Sequence, residues 1–64
     1  MNEQTRQILN KLILELSFEL KTAHDELDRV DSNDSFARVA IQAKISYITA
    51  EIEALNKFAK LMGE

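Results

Sequence analysis

The stretch Phe36-Ala37-Arg38-Val39-Ala40-Ile41-Gln42-Ala43-Lys44-Ile45-Ser46-Tyr47-Ile48-Thr49-Ala50-Glu51-Ile52-Glu53-Ala54-Leu55-Asn56-Lys57-Phe58-Ala59-Lys60-Leu61-Met62 carries two apolar seams at helical spacing. The first is Ile41, Ile45, Ile48, Ile52, Leu55, Ala59 and Met62, spaced alternately by four and three residues as in a packed helix pair. The second is Phe36, Ala40, Ala43, Tyr47, Ala50, Ala54, Phe58 and Leu61, rich in small residues with aromatics at intervals. A helix in a simple hairpin needs one stripe to face its partner, so the second stripe must face something outside the hairpin. A β-strand reading draws on the β-branched residues Val39, Ile41, Ile45, Ile48, Thr49 and Ile52. It fails because strict alternation would leave neither face polar.

Upstream, Leu9, Ile13, Leu16, Leu20, Ala23, Leu27 and Val30 form a third seam with the same alternation, and Leu12 lies beside it. Between the helical stretches stands one polar cluster, Asp31-Ser32-Asn33-Asp34-Ser35, whose short side chains bond nearby backbone groups and favour caps and turns. There is no proline, and the only glycine, Gly63, stands where a helix would end. The pattern predicts a single all-α domain over 1–64: helix one over about 3–30, a turn over about 31–34, and helix two over about 35–62. Asn2 or Thr5 can cap the first helix, and Ser32 or Asp34 the second. The two helices pack antiparallel as a rod about 40 Å long.

A chain of 64 residues buries only about 60% of the surface its unfolded form exposes. Small domains of this kind draw added stability from disulfides, metals or association. Cysteine is absent and His24 is the only histidine, so neither a disulfide nor a four-ligand zinc site is expected. Association is the remaining source. The fold expected is therefore an antiparallel hairpin that assembles into a homodimeric four-helix bundle, parallel or antiparallel, or into a higher helical oligomer. Its interface is expected at Phe36, Ala40, Ala43, Tyr47, Ala50, Ala54, Phe58 and Leu61.

The absence of cysteine, of a signal-peptide pattern at Met1–Gln7 and of an apolar run long enough for a membrane span points to a cytoplasmic protein with no membrane partner. Net charge is −3 with both signs interspersed, a solubility charge with no basic face for nucleic acid. Glu15, Glu19 and Glu26 do share one edge of helix one, but bases such as Lys44 dilute a DNA-mimic reading.

Chemistry-bearing patterns fall short on inspection. His24 and Asp28 stand one turn apart, yet the inward Glu-x-x-His of di-iron bundles needs Glu where Lys21 stands. Asp31, Asn33 and Ser35 match the first half of a calcium loop, which then meets Phe36 where glycine is needed and Gln42 where glutamate is needed. Ser17, Ser32, Ser35 and Ser46 have one histidine among them and no glycine-rich elbow. No catalytic residue, metal or cofactor is expected, and an enzyme is not.

Leu14 and Phe18 lie one turn apart, almost opposite helix one's seam, among Gln7, Lys11, Lys21, Thr22 and Asp25. Leu14, Phe18, Lys11 and Lys21 are the expected contact with an unidentified protein partner. The reading is a non-enzymatic, oligomeric protein-binding module: a regulator, inhibitor or adaptor of the bacterial, phage or plasmid accessory kind.

In length and hairpin plan the chain also resembles the plasmid copy-number regulators of the repressor-of-primer type. That resemblance covers the whole chain as architecture and implies a dimeric four-helix bundle clasping paired RNA loops with its first helices. Asn10 and Phe18 would stand on the RNA face, with Lys21, Lys11 and Arg6 supplying charge and Glu15 and Glu19 interrupting it. The chain is similar too to the two-helix co-chaperones of type III secretion, which implies a heterodimer. A structural scaffold would instead form larger or open-ended assemblies.

Overall fold

The computed structural model describes residues 1–63 and consists of two α-helices, α1 over Glu3–Arg29 and α2 over Ser35–Leu61. They pack side by side as an antiparallel hairpin 49 × 16 × 11 Å, one helix thick and two wide. No strand occurs among the described residues, and no helix there is long and apolar enough to cross a membrane.

Both helix starts are set by single side chains. Asn2 takes the first cap: its side-chain oxygen accepts the Thr5 amide at 2.7 Å, one of the donors a helix start leaves unpaired. In the connection, the Asp31 carboxylate accepts the Asn33 amide at 2.9 Å and the Asp31 carbonyl accepts the Asp34 amide at 2.9 Å. Asp34 then caps α2, its carboxylate accepting the Ala37 amide at 3.0 Å. Ser32 is left in the turn. The Asp31 carboxylate is thus engaged in closing a turn, as the failed calcium pattern implies.

At the far end Met62 donates to the Phe58 and Ala59 carbonyls and Gly63 donates to that of Lys60. Gly63 has φ +95°, a left-handed conformation that glycine alone adopts without a Cβ penalty.

The seams meet as their spacing predicts. Leu9, Ala23 and Ile48 are buried, and Ile13, Leu16, Leu20, Leu27 and Val30 of α1 with Ile41, Ile45, Ile52, Leu55 and Ala59 of α2 are half-buried between the helices. Met62 closes the α2 pattern but lies exposed, because α2 ends before it. Lys44 crosses from α2 to Glu26 of α1 at 3.8 Å and ties the two helices on one flank. Only three apolar residues are buried in the described chain, so most of the apolar side-chain area is only partly withdrawn from water.

Candidate functional site

Two apolar faces remain uncovered. The first is the outer side of α1, where Leu14 and Phe18 are 73% and 71% exposed. Helical spacing sets them one above the other, and together with Lys11, Glu15 and Glu19 they line a single shallow depression. The structure therefore brings Lys11 to the pair but not Lys21. The Lys21 ammonium turns one turn along the helix to Asp25, at 3.4 Å. The Thr22 hydroxyl donates to the Phe18 carbonyl at 3.1 Å, so the polar neighbour of Phe18 is occupied by its own helix. The depression is apolar at its floor and mixed in charge at its rim, with two carboxylates to one ammonium.

The second face is the exposed seam of α2. Phe36 and Leu61 at its ends are each 85% exposed and Tyr47 at its middle is 69% exposed, with Ala40, Ala43, Ala50, Ala54 and Phe58 exposed between them. All eight residues of the expected interface are open to solvent in the single chain. Sequence spacing alone missed two additions from α1. Ile8 and Leu12 are both exposed, and with Thr5, Leu9, Leu55 and Phe58 they line an apolar depression at the terminal end of the rod. The antiparallel register brings Ile8 and Leu9 of α1 to the same hollow as Leu55 and Phe58 of α2, a juxtaposition that no single-helix wheel displays.

Towards the middle of the rod the same flank turns acidic. Glu15 and Glu19 of α1 and Glu51 of α2 line one groove with Leu12, Leu16, Ala54 and Leu55, and none of the three carboxylates forms an ion pair among the described residues. Glu19 also borders the hollow formed by Phe18, Thr22 and Lys44.

Comparison with known protein families, with curated proteins and with solved structures returned no match. The site must be read from its own chemistry. No polar or charged side chain is buried among the described residues, and no group of three or more His, Cys, Asp or Glu is placed to hold a metal. His24 is exposed on α1. What the surface offers is apolar area with charge at its edges.

Proposed function

We propose that the chain is a non-enzymatic protein-binding module that acts as a homo-oligomer, two hairpins forming a four-helix bundle, and regulates, inhibits or adapts another cytoplasmic protein. The observation that carries this reading is the total surface one hairpin leaves open, with ten large apolar side chains exposed on it among the described residues. Its accessible area is 4973 Å². A compact monomer of 7.3 kDa would show about 4,200 Å². The excess of about 800 Å² is what each partner contributes to a standard protein interface. Part of it belongs to α2, which the self-association uses. Leu14 and Phe18 lie on the outer face of α1, away from that seam, and are free for a different partner.

An RNA-clasping role draws no support from the α1 face, because Glu15 and Glu19 border the hollow that Lys11 and Phe18 line. A protein partner with an apolar anchor tolerates such a rim. Burying Leu14 and Phe18 would contribute on the order of 3 to 5 kcal/mol to that contact.

The test replaces both residues at once. Leu14→Glu with Phe18→Glu is expected to keep the helical circular-dichroism signal and the particle mass of the parent while losing the bound partner in a quantitative pull-down from source cells. Retention of the same partner by the double variant would remove Leu14 and Phe18 from the binding surface.

A further inference from the structure

The two uncovered faces, the acidic groove and the turn all invite a further reading, and the α2 seam carries one furthest. It reads nearly the same from either end. Tyr47, Ala54 and Leu61 occupy one heptad position of the seam, and Phe36, Ala43 and Ala50 the other. In an antiparallel pair of helices the two positions share layers, so each residue of one set lies level with a residue of the other set in the partner. We infer that a second copy docks on α2 antiparallel, about a twofold axis at the level of Ile48 and Thr49. The inference rests on the homo-oligomer reading above and specifies its geometry.

In that register Tyr47 lies over the partner's Ala50, so the bulkiest central side chain meets a methyl group. Ala43 lies over the partner's Ala54, and Phe36 over the partner's Leu61. Ala40 leaves room for the partner's Phe58. A parallel pair would set Phe36, Tyr47 and Phe58 each against its own copy and each alanine likewise, alternating overfilled layers with gaps; close packing disfavours that. α2 is unbroken from Ser35 to Leu61, so the register holds along the whole seam.

Charge agrees with shape. Lys44 and Glu51 flank the seam on its α1 side, seven residues apart and hence on one edge. The twofold places Lys44 beside the partner's Glu51, and the reverse pair follows by symmetry. Glu51, which in the single chain shares its groove with Glu15 and Glu19, thereby gains a cation. Lys44 reaches Glu26 at 3.8 Å with both side chains about half exposed, so it is already held on the flank where the partner arrives.

The chain has no cysteine, so Lys60→Cys provides a unique site for a nitroxide label on the exposed side of α2. Light scattering is expected to give the mass of two copies. Electron–electron distance measurement is expected to give about 35 Å between the labels, the separation an antiparallel register sets at 1.5 Å per residue. A parallel pair would bring them within about 20 Å, given interaxial distances of 8–10 Å. Lys44→Glu is expected to weaken the dimer about tenfold, and Lys44→Glu with Glu51→Lys to restore it. A dimer with the short distance, or an assembly larger than two, overturns this docking while leaving self-association intact. A monomer at 100 times the concentration used for labelling overturns both.

Discussion

Ala23 is the most completely covered residue of the described chain, at 0% exposure. So short a side chain is fully covered only where the facing helix comes close. Ala23→Leu is therefore expected to destabilise the fold by about 1–3 kcal/mol through overpacking, and Ile48→Ala by about 2–5 kcal/mol through the cavity it leaves; denaturant melts read both. Single residues also mark where sequence reasoning stopped. Two candidates could cap each helix, because any short polar side chain can bond a free amide. The backbone path then selected Asn2 and Asp34. Asp34→Ala is expected to lower stability by about 1 kcal/mol, whereas Ser32→Ala, in the turn and outside the cap, should leave the melt unchanged.

Both helices and their facing stripes were legible because the four-three alternation is unbroken in each, and an antiparallel hairpin with a five-residue connection has one way to join such stripes. Side-chain company across the helices was less legible. On a wheel Leu12 sits between the α1 seam and its acidic edge and Ile8 lies on that edge in line with Glu26, and only the register with α2 shows that they border one hollow with Phe58. Sign and proximity in sequence place Lys21 beside the Leu14–Phe18 contact. Its ammonium also pairs with Asp25 at i,i+4, a competing local interaction that its spacing already offered. The interhelical Lys44–Glu26 pair is half exposed on both sides, so Lys44→Ala should change hairpin stability by less than about 1 kcal/mol. A much larger loss in thermal melts of the isolated hairpin would mean that this pair organises the flank.

For the molecule as a whole, the surface left open is the quantity that matters. If association covers part of it, the melting temperature must rise with protein concentration, since a partner that binds only the folded state stabilises by mass action. Melts over a hundredfold range of concentration check this, and a constant midpoint would count against the bundle. One detail of the rod's end has a separate consequence. The Met1 amine reaches the Met62 carbonyl at 3.5 Å, so the two ends of the described chain lie together, opposite the Asp31–Asp34 turn. Over residues 1–63 the backbone is close to a closed ring with one break in it. A short glycine linker joining Gly63 to Met1, with the chain reopened between Ser32 and Asn33, should yield a circular permutant whose helices find the same contacts in the opposite order.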